Sequence, residues 1–261
     1  MTRTRTATGA GAPSSLRTIL GYLAALAILL GGWAVASLAL ATPALPLPTV
    51  AFARFVSEFP AMLPHAGTSL MRVVVAMLIG TGLGLPIGLF AGRSRRFDTV
   101  FSPLMYLTYP VPKVVFLPVF MVLLGLADAP KIALIGVVIF FQTMVTARDA
   151  ARNIPEASVD SVRSLGASPL QIATNVVIPA AMADVFTALR INTGTAIAVL
   201  FLSESIAGSS GLGYYIMNAW SIVNYPSMFA GIIMMSLAGV GLYEVLNLLE
   251  RYATRWRFAS E

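Results

Sequence analysis

The stretch VDSVRSLGASPLQIATNVVIPAA, residues 159–181, interrupts a chain that is otherwise dominated by long apolar runs. It contains a glycine at position 166, a Ser-Pro pair at 168–169 and an Ile-Pro pair at 178–179. Glycine commonly follows the last turn of a helix, and Ser-Pro is typical of the first turn of the next one. The sequence therefore predicts two short helices here, set between two hydrophobic segments.

The flanks of this stretch predict where the two helices begin and end. Asn153 is a candidate N-cap for the first helix, with Glu156 placed against its positive end. Ser168 can cap the second helix, which we expect to run to about Asn175 before Pro179 breaks the chain. Such an element, with apolar residues on a polar surface, suits either a docking site or an amphipathic loop on lipid headgroups.

Composition indicates an integral membrane protein. The 261 residues are 57% hydrophobic and 11% charged, whereas a soluble domain carries about 25% charged residues. Cysteine is absent, which excludes disulfides and thiolate metal sites, and the single histidine, His65, cannot form a multi-histidine site. The net charge of +6 is attributed to basic residues on cytoplasmic loops and not to nucleic-acid binding.

An all-α chain with six transmembrane helices is predicted from the apolar runs. The first run, 19–41, is about as long as a bilayer span and longer than the core of a signal peptide. Residues 45–64, with prolines at both ends, are expected to form an amphipathic surface helix. The remaining spans are predicted at about 67–92, 100–126, 130–147, 179–206 and 227–249.

These runs divide the chain into four parts. Residues 1–18 are expected to be a disordered cytoplasmic tail, and 19–66 the first transmembrane helix with the outer amphipathic segment. Residues 67–250 form a core of five transmembrane helices that contains the cytoplasmic loop 153–179. Residues 251–261 form a cytoplasmic C-terminal tail.

Basic residues predict that both termini are cytoplasmic. With the N-terminus inside, twelve of the seventeen Lys and Arg residues lie on the cytoplasmic side, and the opposite topology would invert this bias. The twelve are Arg3, Arg5, Arg17, Arg93, Arg95, Arg96, Arg148, Arg152, Arg163, Arg251, Arg255 and Arg257.

The spacing within the quoted stretch carries a family resemblance. Asp160-Ser161-Val162, then Gly166, Val176 and Ile178-Pro179 resemble the cytoplasmic EAA loop of bacterial ABC-importer permeases. VRSLGAS, SSGLGYYI and YPVPKVVFLPVFMVLLGL (109–126) resemble the nitrate/sulfonate/taurine-type permeases, over residues 45–257. One departure is that Asp-Ser-Val stands where those loops usually carry Glu-Ala-Ala.

The resemblance implies a type I importer permease fold in the bacterial inner membrane, whose EAA-type loop couples to an ATPase. It also implies partners: a second permease subunit as a homodimer, two ATP-binding cassette subunits and an extracytoplasmic solute-binding protein. The positions it assigns to coupling are Asp160, Arg163, Gly166, Ala167, Ser168, Pro169 and Leu170.

The chain itself lacks the pattern that binds ATP in such motors. No G-x-x-x-x-G-K-[ST] sequence occurs, and the only lysines, Lys113 and Lys131, each follow a proline. We therefore expect no cofactor and no enzymatic activity in this chain, with ATP and magnesium bound by the partner ATPase.

Other residues predict helix packing and a substrate pathway. Small residues let helices approach closely in lipid, so Gly80, Gly84, Gly88 and Gly92, at four-residue intervals, predict a packing stripe. Charged and polar residues within spans are candidates for the pathway, and Glu204 is suited also to holding an outer gate. The pathway candidates are Lys113, Arg190, Asn192 and Glu204, while Arg72 is expected to extend to the headgroups.

The pathway candidates suit a small organic or inorganic anion, such as a sulfonate, taurine or nitrate. Two alternatives stay open from the sequence. One is a permease of the same type for a neutral heteroaromatic vitamin precursor. The other is an ATP-independent secondary transporter, which would have no reason to keep a structured cytoplasmic docking loop.

Overall fold

A computed structural model describes residues 15–255, and it is helical with no strand within that range. The predicted all-α membrane fold is confirmed. Of the predicted tails, residues 1–14 and 256–261 lie outside the described residues, whereas residues 15–18 and 251–253 are helical. Residues 15–255 contain ten α-helices: α1 (Ser15–Leu40), α2 (Pro48–Arg93), α3 (Arg95–Thr108), α4 (Leu117–Leu124), α5 (Ala129–Arg152), α6 (Glu156–Ser164), α7 (Pro169–Ile172), α8 (Ile178–Ala207), α9 (Leu212–Ser221) and α10 (Tyr225–Ala253).

Five of the described helices are long and apolar enough to cross a membrane, and the number is six if a bent pair of helices is counted as one span. The bent span consists of α3 and the segment Lys113–Leu124, which meet at 81°. Pro110 and Pro112 lie at the bend and cannot donate backbone hydrogen bonds, so the α-helix stops at Thr108. The third predicted span, at about 100–126, is therefore bent at these prolines.

The division predicted at residue 66 falls inside a single helix. The structure has no separate surface helix at 45–64, because α2 runs unbroken from Pro48 to Arg93 through Pro60, Pro64 and Pro86. Each internal proline removes one hydrogen bond, whereas ending the helix would leave several backbone groups unsatisfied beside lipid. Continuation is therefore the less costly arrangement.

The closest helix pair is α2 with α5, and the glycine stripe lies on its contact face. A β-carbon built at Gly80 would lie 2.6 Å from the carbonyl oxygen of Gly136, and one at Gly84 would lie 2.7 Å from that of Phe140. Gly88 and Gly92 face α5 carbonyl oxygens in the same way. The backbones thus approach to a distance that a side chain would prevent.

The core lies between α2, α5, α8 and α10, and α1 is attached to its outside. Buried core residues include Val73 of α2, Ile139 of α5 and Leu200 of α8. By contrast α1 is mostly exposed, and Trp33 provides its anchor by stacking on Phe229 with ring centroids 5.3 Å apart. The helices that follow α1 therefore form the packed body of the protein.

Adding one methyl group to the α2–α5 contact should destabilise the protein. In Gly84→Ala the new β-carbon meets backbone atoms of α5 that cannot rotate away, and overpacking of this kind costs about 1–3 kcal/mol. We expect a lower midpoint of thermal unfolding in detergent. Gly82→Ala is the control, since a β-carbon there meets nothing within 4 Å, and an equal fall in both variants would contradict the prediction.

Candidate functional site

The first helix of the 153–179 element ends in a hydrogen-bonded glycine turn. Gly166 has a φ of 85°, its N–H donates to the Arg163 carbonyl at 2.9 Å, and the Ala167 N–H donates to the Val162 carbonyl at 3.4 Å. This is a Schellman motif, which requires the left-handed backbone that glycine adopts without strain. The turn predicted at position 166 is present.

The N-cap predicted at Asn153 is wrong. The Asn153 N–H donates to the Asp149 carbonyl at 3.0 Å, so this residue ends α5, and α6 begins only after Pro155. A residue before Ile-Pro can close the preceding helix as readily as it can open the next, and the long α5 continues into this position.

The second helix begins with a capping box. The Gln171 N–H donates to the Ser168 Oγ at 3.3 Å, and the Ser168 N–H donates to the Gln171 Oε1 at 2.8 Å. Pro169 occupies the first helical position, where its missing N–H has no cost. These local contacts fix the direction in which α7 leaves the turn.

Pro179 does not break the chain, contrary to the sequence prediction. Residues Ala173–Val177 form a π-helical segment that joins α7 to α8, so a continuous helix of 38 residues runs from Pro169 to Ile206. A proline ring clashes with the carbonyl four residues before it. The wider π turn directly before Pro179 provides room for that ring.

One side of the element is packed and the other is exposed. Val159, Ile172 and Val177 are buried together against Ala151 and Leu89. In contrast, Leu165 is 87% exposed and Leu170 is 73% exposed, on either side of the Gly166 turn. Leu165 and Leu170 therefore expose their apolar side chains on an element whose other side is packed against the core.

An ion pair ties α5 to the start of the bent span next to this element. Arg148, whose side chain is buried, donates from Nε to Asp98 Oδ1 at 2.6 Å and from Nη2 to Asp98 Oδ2 at 2.8 Å. Ser102 accepts a further bond from Arg148. This bidentate pairing joins α3 to α5, the helix that leads directly into the element.

A second ion cluster is buried at the other end of the core. Arg72 is 1% exposed and Glu204 is 0% exposed, and the Arg72 Nη1 donates to the Glu204 Oε1 at 2.6 Å. Arg72 also donates to Asp128 and to Ser210. The expectation that Arg72 extends to the headgroups is wrong, because its donors are used inside the protein.

Glu204 organises the loop that leads into α9. Its carboxylate accepts from the Ser69 Oγ at 2.9 Å and from the Gly213 N–H at 2.8 Å, in addition to Arg72. Gly211, with a φ of 101°, lies against the carboxylate, where a β-carbon would collide with it. Residues 208–213 are thus fixed to α2 and α8 through one buried charge.

Helix α9 is hydrogen-bonded to a second carboxylate, that of Glu58. The Tyr215 hydroxyl donates to Glu58 of α2, and the Ser227 Oγ donates to the same carboxylate at 3.0 Å. Burial raises the pKa of Tyr215, and the hydrogen bond to Glu58 raises it further, so this hydroxyl stays protonated as the donor. The contact joins α2, α9 and α10.

The predicted pathway residues do not meet in one cavity. Lys113 lies at the bend of the third span, beside a cavity of about 400 Å³ that Phe141 and Gln142 also line. Arg190 instead pairs with Glu250 of α10 at 3.0 Å, and Glu204 belongs to the buried cluster. Asn192 is half-buried in α8. The assignment of these four residues to the pathway stays a prediction.

The Lys113 ammonium is largely satisfied by the helix end beside it. It donates to the Thr108 carbonyl at 2.9 Å and to the Tyr109 carbonyl, and it lies 4.7 Å from the Phe141 ring centroid. Carbonyls at a helix C-terminus attract cations. The residue therefore stabilises the bend as well as lining the cavity.

One protein-family model matches most of this chain. Residues 84–255 match the model of the binding-protein-dependent transport system inner membrane component. The chain belongs to this family. It is a permease subunit of an ABC importer and not an enzyme, and it is a multi-pass protein of the inner membrane.

Curated relatives of this permease include two for sulfur-containing acids. The chain is 29% identical over 192 residues to the taurine transport system permease protein TauC of Escherichia coli, covering 74% of this chain and 70% of that one. It is 31% identical over 197 residues to the putative aliphatic sulfonates transport permease protein SsuC of Bacillus subtilis, with coverage of 76% and 71%.

Solved structures support the same permease fold. A chain of the MetNI methionine ABC transporter in an inward-facing conformation aligns with a TM-score of 0.62 and 22% identity, over 75% of this chain and 98% of that one. An amino acid ABC transporter with histidines aligns with a TM-score of 0.57 and 19% identity, over 76% and 96% of the two chains. As a permease of this class, the chain works with an ATPase and a binding protein.

Removing one charge of the Arg72–Glu204 cluster should lower the stability of the protein more than removing both charges. Arg72→Met leaves Glu204 buried without its counter-charge, which costs about 3–5 kcal/mol. The double variant Arg72→Met/Glu204→Leu removes both charges, so we expect its midpoint of thermal unfolding to lie above that of Arg72→Met.

Asp184→Asn is the matched control, because Asp184 is an exposed acid on the same helix, α8. It should melt like the wild type. A double variant that is less stable than Arg72→Met would contradict the assignment of the cluster as a compensated ion pair.

Proposed function

We propose that this permease forms half of the translocation pathway for a small sulfonate-type anion. A second copy of the same chain completes the pore, and an extracytoplasmic binding protein delivers the solute. Two separate ATPase subunits bind ATP and magnesium and drive the pore through the 153–179 element. Both termini of the chain lie in the cytoplasm.

The exposed pair Leu165 and Leu170 is the observation that carries the coupling proposal. Apolar side chains at 87% and 73% exposure on a polar surface indicate a protein contact. The Schellman turn and the capping box hold them in one geometry, so little conformational entropy is lost on docking. The exposed ion pair of Asp160 with Arg163, at 2.7 Å, lies on the same element.

The basic residues beside the 153–179 element support the proposed orientation. Arg93 ends α2, and Arg95 and Arg96 begin α3. Arg148 and Arg152 lie in the last turns of α5, which leads into the 153–179 element. Basic residues are retained on the cytoplasmic side of membrane proteins. The 153–179 element therefore faces the compartment that holds ATP.

The substrate class rests on the relatives and on one cavity. TauC is named for taurine and SsuC for aliphatic sulfonates, both of which carry a sulfonate group. Lys113, beside the cavity at the bent span, places a cation next to Gln142 and Thr195. A cation with polar neighbours suits a small anion that has left its binding protein.

The coupling proposal is tested by adding a charge to the exposed contact. In Leu170→Glu a carboxylate replaces an apolar side chain that we place in a desolvated interface, which should lower ATPase association at least about ten-fold. The measurement is the amount of ATPase that copurifies with the tagged permease in mild detergent.

Asn175→Glu introduces the same charge at an exposed position one turn further along the chain and should retain the ATPase. Full ATPase association by Leu170→Glu at wild-type expression would refute the proposed docking role.

The substrate is tested with the reconstituted transporter and its binding protein. We expect ATP hydrolysis in proteoliposomes to rise several-fold when the binding protein is loaded with taurine or an alkanesulfonate. Methionine is the control ligand. Stimulation by methionine and none by any sulfonate would contradict the substrate class while leaving the coupling role intact.

A further inference from the structure

Two adjoining cavities separate the end of α2 from the 153–179 element. One, of about 640 Å³, is lined by apolar side chains that include Leu85, Leu89 and Phe90 of α2 and Ile172 and Ile178 opposite them. Its volume lies within the range of about 300–1,000 Å³ that is usual for small-molecule sites. Its lining includes Arg163, Ala167 and Pro169 of the coupling element, but not the exposed Leu165 and Leu170 that carry the docking proposal.

The second cavity, of about 530 Å³, is lined mainly by charged residues. Arg93 and Arg163 line both cavities, so they mark the boundary between the apolar and the polar space. The combined cleft is amphipathic: a chain of methylenes suits one half and an ionised headgroup suits the other.

The charges of the polar half favour an anion. Arg93, Arg95, Arg152 and Arg163 line it together with Asp98, Glu156 and Asp160. Asp98 is neutralised by the buried Arg148 and also lies 3.6 Å from Arg152, and Asp160 is paired with Arg163. Glu156 is then the one remaining carboxylate among the residues that line the polar half, against Arg93 and Arg95. Within residues 15–255, Arg93 and Arg95 have no carboxylate within 4.0 Å.

The depth of the cleft in the membrane matches that of a lipid headgroup. The apolar run of α2 extends to Phe90, which is 60% exposed, and arginines follow at 93, 95 and 96. The change from apolar to basic residues marks the interface between hydrocarbon and headgroups. The apolar cavity therefore lies on the hydrocarbon side and the arginines on the headgroup side.

We propose that this cleft binds one anionic phospholipid, with an acyl chain between α2 and the start of α8 and its phosphate against Arg93 and Arg95, which have no carboxylate partner among the described residues. The bound lipid contacts Ile172 and Val177, which also form the small core beneath the 153–179 element. Occupancy would thus stabilise the position of that element on α2. The inference concerns lipid binding by the chain itself and goes beyond the transport function proposed above.

The experiment measures which lipids the full chain retains. The permease is exchanged from detergent into nanodiscs of phosphatidylcholine with a minority of phosphatidylglycerol, and native mass spectrometry counts the lipids that remain bound. We expect wild-type protein to retain one phosphatidylglycerol per chain, and Arg93→Gln to lower this retention about five-fold, the effect of one basic residue near an anionic surface.

Two matched controls separate the cleft from general surface attraction. Arg96→Gln removes an arginine that lines neither cavity and should retain the lipid as the wild type does. Ala173→Phe fills the apolar cavity and should abolish retention, whereas Asn175→Phe, at an exposed position nearby, should not.

Three outcomes would overturn the proposal. The first is equal phosphatidylglycerol retention by wild type and Arg93→Gln, and the second is an equal loss in Arg96→Gln. The third is undiminished retention in Ala173→Phe. That result would show that the retained lipid does not occupy the apolar cavity. Because retention is read without ATPase or solute, failure here is distinguishable from failure of the transport function.

Discussion

Helices surrounded by lipid gain no hydrophobic free energy by associating with one another, so a membrane core has to be held by close contact and by polar bonds. In this permease the close contact is that of α2 with α5, where a stripe of four glycines admits the backbone of the facing helix. The other functional parts are attached to these two helices. Arg72 extends from α2 to the buried carboxylate of Glu204, and Arg148, near the C-terminus of α5, pairs with Asp98.

The buried charges add specificity to this packing. Removing Arg72 and Glu204 from water is costly, and the cost is offset only when each donor and acceptor finds a partner of correct geometry. The carboxylate of Glu204 meets Arg72, Ser69 and the Gly213 N–H together, an arrangement that a shifted α8 or a displaced outer loop would lose. The cluster therefore selects one register of α2, α8 and the 208–213 loop.

The sequence predicted best those features whose cause lies within a few residues. Gly166 and Ser168 specify their turn and cap locally, so the two-helix element was foreseen and its family resemblance confirmed. Predictions from local sequence were wrong where the surrounding structure determines the backbone. Pro179 is accommodated by a π turn and Pro64 lies inside a long helix, although the sequence predicted a break at both.

The pairing of Arg72 with Glu204 spans 132 positions, and no local pattern announces it. From the sequence each residue looked like a separate charge in or near a span, with headgroups or a pathway as the obvious destination. Only the fold shows that the two charges compensate each other. For the same reason Lys113, Arg190 and Glu204 appeared to form one polar set, although they lie on different contacts of the core.

The continuity of the helix from Pro169 to Ile206 has a mechanical consequence. Leu170 and Glu204 lie near opposite ends of this one rod, about 50 Å apart at 1.5 Å per residue. A displacement applied at Leu170 is transmitted to the 208–213 loop by the continuous helix itself, without a relay of side chains. The π turn at residues 173–177 lies three residues beyond Leu170, where the helical hydrogen bonding departs from the α pattern.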